Sequence, residues 1–390
     1  MRTDDRRAHT LVRIQDQCYH HAPEIRRFLI YRLAEDTANS LMKLHIGILG
    51  YLMRSVGIVV GESGSLPRCV HFDDGIDWRS SVDELWVVPH GIIDKLLPSF
   101  LYYGPGKVLT VTTAVTGYDP RFLGNRFRFV LSASSAAASQ FHLSSIPEAA
   151  HMGAFLGGDG VLLRCGHSAS AFTRIGRPGV ITGAWNTVGG DEASGTWLGH
   201  QALHCITRYH DGSATLPRSA LAVEILRRLE RRNPTIRSDA PTLLEELHMI
   251  RETQERAWKH RLYEIGLEVV RIAQSDSTGS EFALRIVEDS QEQLVDLVYG
   301  GLSQSGVSKI EPFDICLSGS IFGDRWYVTR FIENLRRAFP SVNVKPPLYS
   351  PIMGIALMAV QNGDGLAASD LPLLASTWGN EPWAKPIIRG

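Results

Sequence analysis

Two periodicities divide the chain. Ile46-Gly47-Ile48-Leu49 and Val56-Gly57-Ile58-Val59-Val60 are short β-branched runs that predict strands, and Glu62-Ser63-Gly64-Ser65 supplies a turn towards the next strand. The pair therefore predicts a hairpin. Helical and strand patterns then alternate over residues 82–97, 107–115, 127–131, 148–156 and 160–164, which predicts an α/β domain with a substantially parallel sheet. Between about residues 198 and 310 the period becomes helical. Residues 219–232 carry Leu221, Ile225 and Leu229 at spacing four and end at Asn233-Pro234, while 243–272 and 280–302 are two further amphipathic stretches. Residues 313–357 return to strand, turn and helix. Ahead of all this, Pro23 suits a first helical turn, and Ile25, Phe28, Leu29 and Leu33 share one face, so residues 1–42 predict an extra N-terminal helix.

Composition narrows the class without naming a function. With 390 residues, 44% apolar and 21% charged, the chain is long enough for two domains with substantial cores. A formal net charge of −1 gives no reason to expect nucleic acid or an anionic membrane as partner. No apolar run approaches the roughly 18–20 residues that span a bilayer. Five scattered cysteines lack metal-ligand spacing, and the N-terminal residues lack the apolar core of a signal peptide, which points to a cytoplasmic protein with reduced thiols. His200 and His204 stand four apart in a helical stretch, the spacing of zinc ligands, but no third ligand is evident.

The chemistry concentrates in Gly189-Gly190-Asp191-Glu192-Ala193-Ser194-Gly195-Thr196-Trp197-Leu198-Gly199. Glycines are needed where backbone takes positive φ or approaches a ligand closely, and a Gly/Ser turn opening a helix presents N–H groups that can hold an anion. With Gly183-Ala184-Trp185 and His210-Asp211-Gly212, this turn resembles the Gly-Gly-Trp-Gly and Gly-Asp-Glu-Gly-Ser-Gly motifs of the BadF/BadG/BcrA/BcrD-type ATPases, which include N-acetylglucosamine and glucosamine kinases. Thr116-Gly117-Tyr118-Asp119-Pro120, Leu317-Ser318-Gly319-Ser320-Ile321 and Pro351-Ile352-Met353-Gly354-Ile355-Ala356 also resemble family segments.

The resemblance implies a two-domain α/β actin-like ATPase/sugar kinase fold built from ribonuclease H-like repeats, each with a mixed five-stranded sheet. The expected boundaries are 1–42 for the helical extension, 43–155 for the N-terminal domain and 156–390 for the C-terminal domain, with a helical insertion at about 215–310. It further implies that Thr116, Gly117, Trp185, Asp191 and Ser194 line an acceptor pocket, and that the turn at 317–321 lies near the adenosine of ATP.

Three family features are absent. Leu49-Gly50-Tyr51-Leu52-Met53-Arg54-Ser55 stands where the family has Asp-Gly-Gly-Gly-Thr-Lys-Thr, so Leu49 offers no oxygen to Mg²⁺ and side chains replace the phosphate-binding glycines. Gly166-His167-Ser168-Ala169 stands for Gly-Thr-Gly-Ser, and Ile146 stands where the catalytic Asp is expected, with Glu148 two residues on. Phosphoryl transfer needs metal, phosphate cradle and base together.

Three functions stay open. The first is a repurposed small-molecule enzyme without ATP or any other cofactor. There Asp191 or Glu192 would act as general base, and Arg54, Arg164, His167 and Ser168 would hold a phosphate- or sulfate-like group that is eliminated or transferred. The second is a non-catalytic subunit of a heteromeric complex, and the third an amino-sugar kinase that still uses ATP and Mg²⁺; in each case a homodimer, or a heteromer with a second chain, is expected. The substrate in each case is a small polar metabolite. Asp191 as a helix cap, Glu192 pointing outward, and His167 and Ser168 as fillers of a shortened turn are the plainer roles of the same residues.

Overall fold

The computed structural model describes residues 43–50, 55–62, 68–70, 108–115, 138–185, 191–232, 239–253, 255–364 and 371–378. The expected N-terminal helix, the patterns at 82–97 and 127–131, and the candidate residues Arg54, Thr116 and Gly117 lie outside these. The chain divides into two compact units, Met1–Gly157 with Leu348–Ile387, and Gly158–Pro347 with Ile388–Gly390. The sequence places 156–390 in one domain; instead, the described residues 348–364 and 371–378 belong with the first unit.

In the first unit, β1 (Lys43–Gly50) and β2 (Ser55–Glu62) form the expected antiparallel hairpin. β3 (Arg68–Val70), β4 (Val108–Val115) and β5 (Ala138–Ser144) complete a sheet of order β3-β2-β1-β4-β5. Only β1/β4 and β4/β5 are parallel, so the sheet is mixed rather than substantially parallel. Helix α1 (Ile146–Phe155) starts on a side-chain N-cap: Ser145 Oγ accepts from the Glu148 N–H at 3.2 Å, with Pro147 in the first turn. It packs on a helix that returns from the far end of the chain, here Pro351–Asp364. Gly153 and Gly354 make that approach possible, since a Cβ on either would collide with Ser350 O or Ala149 O.

The second unit repeats the sheet. β6 (Gly160–Cys165), β7 (Ala169–Arg174), β8 (Val180–Gly183), β9 (Phe313–Ser318) and β10 (Val342–Lys345) have the order β10-β9-β6-β7-β8. Three antiparallel strands followed by two parallel additions on the first strand is the same topology as in the first sheet.

Between β8 and β9 stand α2 (Gly195–His210), α3 (Leu216–Arg232), α4 (Ala240–Thr253), α5 (Glu255–Ala273) and α6 (Ser280–Ser305). The single stretch expected over 243–272 is thus two helices. α7 (Arg325–Ala338) joins β9 to β10, and the returning helix of the first unit is α8 (Pro351–Asp364), followed by α9 (Leu371–Trp378). Leu198, Ile206, Leu221, Ile225, Val269 and Leu294 are fully buried in one core with Leu163 and Ile315 of the sheet. Each such side chain contributes about 1.5–3 kcal/mol.

Candidate functional site

The end of the β6–β7 hairpin is tied to the start of α2. Gly166 N donates to Ser168 O at 3.0 Å, closing a tight turn, and Gly195 N donates to Gly166 O at 2.8 Å. Asp191 (φ 44°) and Ala193 (φ 66°) both hold left-handed backbone. That conformation costs roughly 1–2 kcal/mol without glycine. Bonds on all sides hold it: Ser194 N donates to Asp191 O, while Cys165 Sγ (3.4 Å) and Ser290 Oγ (3.0 Å) both donate to Ala193 O. Ser194 caps α2, its hydroxyl accepting from Trp197 N at 3.1 Å. The N–H groups of Gly195 and Trp197, which could have held an anion, are therefore satisfied within the chain.

α5 crosses α2 at very short range through Gly195, Gly199 and Gly266. A Cβ on Gly199 would collide with Leu262 O, and one on Gly266 with Gly195 O. This crossing sets the Tyr263 ring against Gly195, where a Cβ would lie 2.5 Å from Tyr263 Cδ2. The same ring stacks on His167 at 4.1 Å between centroids and 22° between planes. Its hydroxyl donates to Ser320 Oγ at 2.6 Å, just past Gly319, whose φ of 108° keeps the β9 turn close to Cys165 O. Tyr263 thus fills the space among the 166–168 turn, the start of α2 and the 319–320 turn.

Beside it lie the charges. Asp191 is buried, and Lys259 Nζ, also buried, stands 3.9 Å from its Oδ2. His167 Nε2 and His260 Nδ1 are 3.3 Å apart, with one ring donating and the other accepting according to tautomer. Burial, reinforced by His260 and Lys259, pushes the His167 imidazole down to about 4, so it is neutral near pH 7. Burial also raises the Tyr263 phenol, keeping it a donor. The arrangement offers a carboxylate–ammonium pair beside a neutral imidazole, a setting able to hold a polar ligand and exchange a proton with it.

The remaining candidates scatter. Glu192 is exposed and Trp185 is 42% exposed, whereas Ser194 is fully buried with its hydroxyl committed to the cap, which removes it from the acceptor-binding set. Asp191 is not the cap of α2; Ser194 is. Arg164 alternates with Leu163 and Cys165 along β6 and so faces away from the core that includes Tyr263, while His167 stacks on that ring. The structure does not gather Arg164 and His167 as one anion site. Ile146 is buried in the first turn of α1, and Glu148 accepts from Ser144 Oγ at 2.7 Å, a local cap role.

Among the described residues no group of three His, Cys, Asp or Glu side chains could hold a metal ion, and His200 packs edge-on to Trp258. No described helix is long and apolar enough to cross a membrane. Sequence reading missed Lys259, His260 and Tyr263. The one signal for them was a lysine four residues from Tyr263 on the buried stripe of α5.

No protein-family model and no curated protein matches the chain. Among solved structures, a protein from Chromobacterium violaceum named as a putative N-acetylglucosamine kinase superposes with a TM-score of 0.55 at 16% identity, covering 82% of this chain and 99% of that one. The fold is that of the actin-like ATPases and sugar kinases. A Porphyromonas gingivalis protein similarly named (TM-score 0.44, 11% identity, 83% and 100% covered) and a ROK hexokinase from Thermus thermophilus (0.42, 11%, 82% and 99%) are more distant. Within the sugar kinase fold, the turns at 166–168 and 319–320 end neighbouring strands of one sheet, and Tyr263 bridges them.

Proposed function

We propose that this chain is a divergent BadF-type member of the sugar kinase fold that binds a small polar metabolite beside Asp191 and Lys259 and does not transfer phosphoryl groups from ATP. The observation that carries this reading is Tyr263. By resemblance, the turns at 166–168 and 317–321 are those nearest the phosphates and adenosine of a nucleotide, and the Tyr263 ring with its bond to Ser320 occupies the space among them. The α2 amides committed to Gly166 O and Ser194 Oγ add to it. Leu49 and Ile146 stand where metal-binding and basic carboxylates are expected. These residues do not fit ATP with Mg²⁺.

Asp191 is the acid–base group of the proposed site, and Lys259 is its counter-ion and an anchor for an anionic substituent. Elimination or transfer of a phosphate- or sulfate-like group suits such a pair, and an amino sugar is the acceptor that the family resemblance suggests. A second reading, a non-catalytic subunit, is favoured by one observation: Lys259 already neutralises Asp191, and the Ser194 hydroxyl is committed.

Calorimetric titration with ATP and Mg²⁺, with and without glucosamine or N-acetylglucosamine, separates these readings. The expected result is no saturable nucleotide binding, with sugar binding that falls at least about tenfold in Asp191→Asn. Micromolar nucleotide binding would overturn the proposal. Binding of neither nucleotide nor sugar would favour the subunit reading.

A further inference from the structure

A second concave site lies away from Asp191 and Tyr263. Between α2, the start of α3 and α6 runs a groove of about 480 Å³, lined by Gln201, Arg208, Arg218, Phe282, Asp289 and Glu292 among others. Two of its charged neighbours are already balanced, Arg285 by Glu281 and Glu288 by Arg330. Four are not. Among the described residues, the side chains of Arg208, Asp289 and Glu292 enter no ion pair or hydrogen bond, and the Arg218 guanidinium lies 5.7 Å from the centre of the Phe282 ring with no carboxylate partner. Two cations and two anions therefore face one groove without meeting.

Their order along the groove is polar. Leu221 of α3 packs on Gly279 at the start of α6, which sets Arg218 at the Phe282 level. Asp289 follows Phe282 by seven residues, about 10 Å along a helix. The positive end also reaches Cys205 in the groove wall, where Arg218 and Arg208 both oppose the upward push of burial on the thiol.

A ligand that satisfies two cations and two anions is itself neutral overall and dipolar, which argues against nucleotides and other polyanions. A single amino acid, spanning about 3.5 Å, cannot reach both ends, whereas three extended residues span about 10 Å. We propose that this groove binds a short peptide with free termini, about three residues long, its carboxylate at Arg208 and Arg218 and its ammonium at Asp289 and Glu292. Arg218, held over Phe282, is the more ordered anchor, and Gln201 supplies an amide to the peptide backbone. This site uses no residue of the proposed metabolite site, and the two stand or fall separately.

The test is calorimetric titration of the full chain with triglycine, glycine, 6-aminohexanoate, and triglycine acetylated and amidated at its ends. Saturable binding of triglycine is expected, weakened at least about tenfold by end-blocking, by Arg208→Gln with Arg218→Gln, and by Asp289→Asn with Glu292→Gln. Far-ultraviolet circular dichroism of each double variant should match the parent, because Arg208, Asp289 and Glu292 are exposed and Arg218 is half-buried. No saturable binding of triglycine to the folded parent would overturn the proposal, and so would equal binding of the blocked peptide. Tighter binding of 6-aminohexanoate than of triglycine would overturn the peptide assignment.

Discussion

The two units share a sheet and differ in what their helices carry. Each has three antiparallel strands with two parallel ones added to the first, and each brings a pair of helices together through glycines: Gly153 and Gly354 between α1 and α8, and Gly195, Gly199 and Gly266 between α2 and α5. The described core of the first unit is built from small and apolar groups such as Ala149, Met353 and Ala356. The second unit inserts five helices between its third and fourth strands, and these bury polar chemistry. Asp191 faces Lys259, Glu268 binds Arg232 (2.7 Å) and Arg271 (2.6 Å), and Ser290 and Gln291 bond to Tyr327. One frame is thus used twice, and among the described residues the buried ion pairs belong to the insertion. Gly195 and Gly199, which in sequence read as part of a ligand loop, serve helix contact, as Gly153 and Gly354 do in the first unit.

The largest expected effects test that shared glycine device. Gly199→Val and Gly354→Val each drive a side chain into a backbone carbonyl of the facing helix, Leu262 O in one unit and Ala149 O in the other. Overpacking without room to relax costs roughly 3 kcal/mol, so both variants should lower the midpoint of urea unfolding markedly or fail to fold. Gly300→Ala in α6 is the control, because its Cβ would meet only the Thr182 side chain, at ordinary contact distances of 3.4 and 4.0 Å. It should be neutral or up to about 1 kcal/mol more stable from helix propensity. If Gly199→Val matched the parent, the parallel between the two helix crossings would be lost.

This device explains which parts of the molecule were legible in the sequence. β1, β2 and α3 follow from local pattern alone. The break between α4 and α5 left no such mark within 243–272, since both halves keep helical period. The return of α8 to the first unit is a long-range packing event that spacing cannot encode. At the site, Asp191 was visible because its glycine-rich turn is local. Lys259, His260 and Tyr263 arrive from α5, about seventy residues later in the chain, and only the close crossing of α2 and α5 brings them there.

Next in size is Tyr263→Phe, which removes the bond to Ser320 and should cost about 1 kcal/mol in chemical denaturation. The ring that fills the turn is kept, so nucleotide binding should stay absent. Nucleotide binding by this variant would show that a single hydroxyl, rather than the packed ring, closes the site.

The turn between β6 and β7 carries one group whose titration is coupled to folding, His167. Its folded value of about 4 lies below the ordinary 6.5, so between these pH values the unfolded chain binds the extra proton. The His167 contribution to stability is therefore full above about pH 6.5 and declines as pH falls towards 4. His167→Gln should flatten the loss of stability over that window, as read from urea midpoints at a series of pH values. An unchanged slope would mean that His167 does not carry this linkage.

The smallest effects concern backbone strain, which again separates the units. Among described non-glycine residues the first unit holds left-handed φ only at Leu156, while the second does so at Ala184, Asp191 and Ala193. Ala184 is half-buried, and its N–H bonds Ala169 O at 2.8 Å, so Ala184→Gly keeps the bond and releases the clash of its Cβ. The gain should be about 0.5 kcal/mol, after subtracting the greater freedom of glycine in the unfolded chain. Ala193→Gly relieves the same strain but removes a fully buried methyl worth about 0.8 kcal/mol, so it should be neutral or slightly destabilising. The pair of midpoints, compared in one buffer, measures whether the turn before α2 is held by packing or merely tolerated. Equal gains at both positions would mean that the Ala193 methyl contributes nothing and that the bonds from Cys165 and Ser290 alone hold the turn.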